Sequence, residues 1–218
     1  MKKNLGFAPA AAVAIASVLL LSAASAVAGT NLGFETGDTT GWTAGGDGLY
    51  GATDSMHGFA APAEGQYFGY VIGNSQDVYT TLSQDFTLSA GDTLTGFVGF
   101  AANDVYEDSG VIYNDSGYLS VNGTNIFYAD VASTGDYLST GWQNFSFTAP
   151  TDGTYTLQLG VANHGDNMNG SNAVLDGVAV QPLSVGVPEP SAWALMLVGF
   201  GGVGSMLRRT EARTRQSA

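Results

Sequence analysis

The chain contains no cysteine. Disulfide staples, thiolate metal sites and cysteine nucleophiles are therefore excluded. Cationic side chains are nearly as scarce. The six basic residues, Lys2, Lys3, Arg208, Arg209, Arg213 and Arg215, all lie at the two ends, and none falls between Gly29 and Val187. That middle stretch holds seventeen of the nineteen acids. It lacks the basic contacts that dominate nucleic-acid affinity, and anionic lipid would repel it. Such a surface stays soluble and tolerates or attracts divalent cations. Catalytic signatures are missing too. The two histidines, His57 and His164, lie far apart in glycine-rich turn contexts, where exposed loop histidines are expected. No G-x-S-x-G elbow occurs. The expectation is that the chain carries no catalytic residues.

What is present starts with two unlike ends. Lys2 and Lys3 precede an apolar run from Phe7 to Leu21, and small residues then lead to Ala26-Val27-Ala28. A positive start, a short apolar stretch and an A-x-A site make a secretory signal peptide over residues 1–28, cleaved after Ala28 by signal peptidase. At the other end, Ser191 to Leu207 is uncharged over seventeen residues, the lower limit for a membrane-crossing helix. Arg208 and Arg209 follow directly and would hold that end in the cytoplasm. Pro188 and Pro190 disfavour helix and sheet just before it, which leaves an extended segment outside the membrane.

Pro188-Glu189-Pro190, Trp193-Ala194, the apolar stretch and the Arg208-Arg209 pair together resemble the PEP-CTERM sorting segment of the PEPxxWA subtype, over residues 187–212. The resemblance implies an exosortase as partner, cleavage near the Pro-Glu-Pro region, and a Gram-negative producer of exopolysaccharide. It places the protein first at the inner membrane and then at the cell surface or in the extracellular matrix. Gly199-Phe200-Gly201-Gly202-Val203-Gly204 fits G-x-G-x-x-G, but it lies inside the apolar stretch with no acid about twenty residues on, so dinucleotide binding is not expected.

Between the ends, residues 29–184 read as one all-β domain. Tyr155, Leu157, Leu159 and Val161 alternate with Thr154, Thr156, Gln158 and Gly160, the period of a half-buried strand. Leu94 to Phe100 and Asp85 to Leu88 repeat the pattern. Leu119 to Val121 and Ile126 to Tyr128 flank Asn122-Gly123, a hairpin-turn pair. Gln66 to Ile72, Trp142 to Phe147 and Ala173 to Val180 add strands, and no helical period occurs. Short strands between Gly, Asp and Asn turns predict an antiparallel β-sandwich or jelly roll, with a signal helix before it and a transmembrane helix over 191–207 after it.

Asn31-Leu32-Gly33-Phe34-Glu35-Thr36-Gly37-Asp38 with Gly41-Trp42 resembles the opening of galactose-binding-like jelly rolls, the fold of many carbohydrate-binding modules. Val174-Leu175-Asp176-Gly177-Val178 resembles their last strand. The resemblance implies a structural calcium where the first and last strands meet, with Glu35 and Asp176 as carboxylate ligands and main-chain carbonyls completing the shell. A second acidic stretch, Asp104, Glu107, Asp108 and Asp115, reads as a solvated loop. Trp42 and Trp142 read as core. Tyr50, Tyr67, Tyr70, Tyr79, Tyr106, Tyr113 and Tyr137 offer rings for stacking on sugars without singling out a platform. Three readings stay open: a non-catalytic surface or matrix protein contacting extracellular polysaccharide, a structural or adhesive protein without a defined ligand, and a glycan-active hydrolase or lyase.

Overall fold

The computed structural model describes residues 29–183 and 195–200. The first span holds twelve strands: β1 (Thr43–Gly45), β2 (Leu49–Thr53), β3 (Phe68–Ile72), β4 (Thr80–Leu88), β5 (Thr93–Ala101), β6 (Glu107–Asp108), β7 (Val111–Ile112), β8 (Ser116–Val121), β9 (Thr124–Asp130), β10 (Gln143–Thr148), β11 (Gly153–Ala162) and β12 (Asn172–Gln181). One sheet runs β1-β4-β11-β8-β9, and a second runs β10-β5-β12-β3-β2. Every pairing within them is antiparallel. With β1, β2 and the small β6–β7 hairpin set aside, the remaining strands interleave as β3-β12-β5-β10 against β4-β11-β8-β9. That interleaving is a jelly roll, so the domain is an antiparallel β-sandwich.

Alternation in the strands builds the core between the sheets. From β11 come Tyr155, Leu157, Leu159 and Val161; from β4, Leu82, Phe86 and Leu88; from β5, Leu94, Val98 and Phe100; from β12, Ala173 and Leu175. Phe34 stacks on Trp42 with ring centroids 5.0 Å apart and closes one end. It fits there because Gly69 has no side chain; a Cβ at that position would collide with the Phe34 ring. β4 starts at Thr80, five residues before the strand that alternation marks. The reason is Gln84, a buried polar residue on the inward side that interrupts the apolar rhythm. β1 and β2 are short, glycine-bearing edge strands without a periodic signature. The one-turn helix α1 (Val131–Thr134) is too short to show a period; Asp130 caps it through a reciprocal capping box with Ser133.

Trp142 departs from its expected place. It lies outside the sandwich, in a second apolar cluster on the outer face of the β10-β5-β12-β3-β2 sheet, with Phe59 at 4.9 Å and Phe68 at 5.3 Å between ring centroids. The loop 54–67 lies over that face and receives the Trp142 Nε1–H at Ala61 O. This sheet is therefore covered on both sides, whereas the outer face of the β1-β4-β11-β8-β9 sheet carries no such layer among the described residues.

Residues 195–200 are helical and belong to the expected span over 191–207. The rest of that span, the sorting residues Pro188, Glu189, Pro190, Trp193, Arg208 and Arg209, and the signal peptide with Ala26 and Ala28 lie outside the described residues. Among the described residues no helix is long and apolar enough to cross a membrane.

Phe100 is fully buried, and its ring fills the space left by Gly117. Truncation to Ala is expected to cost about 3–5 kcal/mol through lost burial and a cavity. The shift of the urea unfolding midpoint at unchanged m-value measures it.

Candidate functional site

The open outer face is built from the residues opposite the core positions. One row crosses the sheet as Gly45, Thr81, Gly160, Tyr118 and Tyr128, each directly opposite the next. Opposed residues on an antiparallel pair point the same way. Tyr118 and Tyr128 therefore stand side by side on this face. The Tyr118 ring lies across Gly160, where a Cβ would stand 2.5 Å from it, and its hydroxyl donates to Gln158 Oε1 at 2.7 Å. Tyr79, at the end of the same face, meets Tyr118 edge-on with ring centroids 5.1 Å apart. Tyr128 is 53% exposed and Tyr79 38%. Burial pushes the Tyr118 and Tyr128 phenols above their ordinary value, so both stay protonated donors well past neutral pH.

A hydrogen-bond chain fixes Tyr79. Asp77 Oδ1 faces His164 Nδ1 at 2.6 Å, His164 Nε2 faces Ser116 Oγ at 3.0 Å, and Ser116 Oγ faces the Tyr79 hydroxyl at 3.2 Å. With Nδ1–H donating to the carboxylate, Nε2 accepts from Ser116, which in turn accepts from Tyr79. His164 is thus a positioning residue rather than a free loop histidine. The order Asp-His-Ser has the spacing of a nucleophilic triad. Ser116 is 2% exposed, however, sealed between the ring of His164 and Tyr79, which leaves an acyl group no approach to its oxygen. His57 remains exposed, with its ring against Ala102 O at 3.1 Å.

Beside Tyr128 the face turns into a groove of about 540 Å³ at the sandwich edge, between β9 and β10. Ser133, Thr134, Ser139, Thr140, Gln143 and Asn144 line it, all neutral hydroxyls and amides. The Thr134 hydroxyl is buried without a partner.

Of the tyrosines singled out from sequence, Tyr79 joins this site. Tyr50 lies on β2 of the other sheet, and Tyr106, Tyr113 and Tyr137 belong to the loops around the β6–β7 hairpin. Tyr118 and Tyr128 were not legible as a pair. In a two-residue Asn-Gly hairpin Tyr118 would face Phe127; a bulge at Ile126 shifts the register and brings Tyr128 opposite instead.

Glu35 and Asp176 both flank Gly33. A Cβ at Gly33 would stand 3.9 Å from Glu35 Oε1 and 4.0 Å from Asp176 Oδ1, so the two carboxylates converge on one glycine. Both are clasps on main chain. Glu35 accepts from the N–H groups of Gln66 and Tyr67, and Asp176 from those of Glu64 at 2.9 Å and Gly177 at 2.7 Å. Among the described residues no three His, Cys, Asp or Glu side chains group as metal ligands. The second acidic stretch is not a solvated loop throughout. Glu107 and Asp108 are exposed, but Asp104 and Asp115 are buried, and Asp115 accepts from the N–H of His164 and from the N–H and hydroxyl of Ser171.

No family model and no curated protein matches the chain. Among solved structures it is similar to TmCBM61 in complex with beta-1,4-galactotriose, at 20% identity and a TM-score of 0.45, over 70% of this chain and 96% of that one. It is also similar to the CBM22-1 xylan-binding domain from Paenibacillus barcinonensis Xyn10C, at 16% identity and 0.37, over 68% and 90%. A third is a cyclase from Fischerella sp. TAU in complex with 4-(1H-Indol-3-yl)butan-2-one, at 16% identity and 0.42, over 73% and 98%. All three likenesses are distant.

Burial raises the Asp176 carboxyl to about 6 against the pull of the Glu64, Gly177 and Ala63 amides, and the charge of Glu35 adds to it. A carboxyl whose pKa is raised on folding favours the folded state while protonated. Its contribution is full below the unfolded value near 3.8 and is lost as pH rises through about 6. In EDTA the native protein is expected to lose on the order of 1–3 kcal/mol relative to Asp176→Asn between pH 4 and pH 7. Urea titrations of both proteins across that range measure it.

Proposed function

We propose that this is an exported, non-catalytic jelly-roll protein that contacts neutral polysaccharide through its open tyrosine face, at the cell surface or in the exopolysaccharide matrix. The observation that carries the reading is the Tyr118–Tyr128 pair, two rings presented side by side on the uncovered face of the sheet. Aromatic faces stack on the apolar faces of sugar rings, and the surrounding Gln158, Thr81 and groove hydroxyls offer hydrogen bonds to sugar hydroxyls. The absence of any lysine or arginine from the described residues favours a neutral over an anionic glycan.

The ends supply the address. Signal peptidase would release the chain after Ala28, and an exosortase would act near Pro188-Glu189-Pro190 once the 191–207 span has held the protein in the inner membrane. Calcium fits the converging pair by charge: Glu35 and Asp176 are the side chains that would hold it, and it would supply the positive charge that the described residues lack. The Asp77–His164–Ser116 spacing favours a glycan esterase as second reading, and the burial of Ser116 weighs against it.

A glycan array with affinity electrophoresis tests the reading. Retention on neutral polysaccharide is expected, with Tyr118→Ala and Tyr128→Ala each weakening it about tenfold or more, a loss of about 1.4 kcal/mol, while circular dichroism stays unchanged. Equal retention by the double variant, or binding confined to anionic chains, would contradict the assignment.

A further inference from the structure

Gln84 occupies an inward position of β4 and is 8% exposed. Its Nε2 donates to Thr30 O at 2.9 Å and Gly41 O at 2.8 Å, which orients the amide. The other end, Oε1, is buried and accepts no hydrogen bond. An orphaned buried amide oxygen costs about 1–3 kcal/mol and calls for a donor. The group lying on that oxygen is Gly29: a Cβ there would stand 1.8 Å from Gln84 Oε1, so the Gly29 backbone approaches it closely. The Gly29 nitrogen is one bond, about 1.46 Å, from the same Cα. As a peptide N–H it has a single fixed direction, and it does not satisfy Oε1.

We infer that Gln84 Oε1 is the receptor for the α-ammonium group created when the chain is cut between Ala28 and Gly29, so that processing completes the fold. An ammonium carries three donors around the nitrogen and reaches directions that the amide N–H does not. Gly29, Thr30, Thr43, Ser83, Gln84 and Asp85 line the groove here, and Asp85 is its one titratable side chain among the described residues. Asp85 already accepts the Thr156 hydroxyl at 2.6 Å and gives the groove its one formal charge among the described residues. The processed domain would then have one cation among residues 29–183, and it would sit at this spot. Its stabilisation is full below the ordinary α-amino value of about 7.7–8.0 and is lost as pH rises through the raised folded value.

The inference rests on the export reading, and the experiment separates the two. The protein is exported from a Gram-negative host, and its N-terminus is read by mass spectrometry. A start at Gly29 is expected; any other start overturns both the cleavage and the receptor. The processed chain contains no lysine, so an amine-acylating reagent reaches the α-amine alone. At pH 7 its acylation is expected to run at least about tenfold slower than in the free peptide Gly-Thr-Asn-Leu, since one unit of pKa is a factor of ten. The acetylated protein should melt about 2–4 °C lower at pH 7 and equally at pH 10. A second protein, produced with Ala28 retained as its first residue, should acylate at the peptide rate. Peptide-like acylation of the Gly29 form with an unchanged melting point would overturn the receptor while leaving export intact.

Discussion

The constraint that shapes this domain is the want of any cationic side chain. A buried carboxylate in such a chain has no lysine or arginine to meet, so main-chain N–H groups take that role. Asp92, Asp104, Asp115 and Asp176 are all buried, and each accepts at least one backbone amide. Asp92 joins the Ser89 turn to Leu183, Asp115 joins the loops at His164 and Ser171, and Asp176 holds Glu64. These clasps tie loops to strand ends, where a larger protein would use ion pairs or a smaller one disulfides. They act at short range and do not rely on long side chains.

The same constraint leaves the Glu35–Asp176 junction electrically one-sided. Two carboxylates lie beside Gly33; burial first, and the Glu35 charge after it, raise the Asp176 carboxyl against the pull of its amide donors. It also explains why the open face is neutral or acidic. With the second sheet covered by the 54–67 loop and its Phe59–Phe68–Trp142 cluster, the tyrosine row is the broad aromatic surface that remains free among the described residues.

The tyrosine face depends on small residues as much as on rings. Gly160 lets Tyr118 lie flat on the sheet, and Gly45 and Thr81 continue the row at low height. The hydrogen-bond chain from Asp77 through His164 and Ser116 then sets the position of Tyr79. Rigid rings over a low floor suit a ligand that lies along the sheet rather than one that enters a deep cavity.

The sequence by itself determined the sandwich class and most strand positions. Strand alternation is a local signal where the inward residues are apolar whatever their partners, as Tyr155, Leu157, Leu159 and Val161 show. What only the tertiary structure decided is who faces whom. The Tyr118–Tyr128 pair depends on a one-residue bulge at Ile126, and a period-two pattern carries no record of a register shift. Trp142 reads as core by its bulk, yet it packs outside the sandwich because the 54–67 loop returns over the sheet. Asp115 and His164 read as solvated because their neighbours are Gly, Ser and Asn; they are held together by contacts across the fold, 49 residues apart in sequence, that no local window contains.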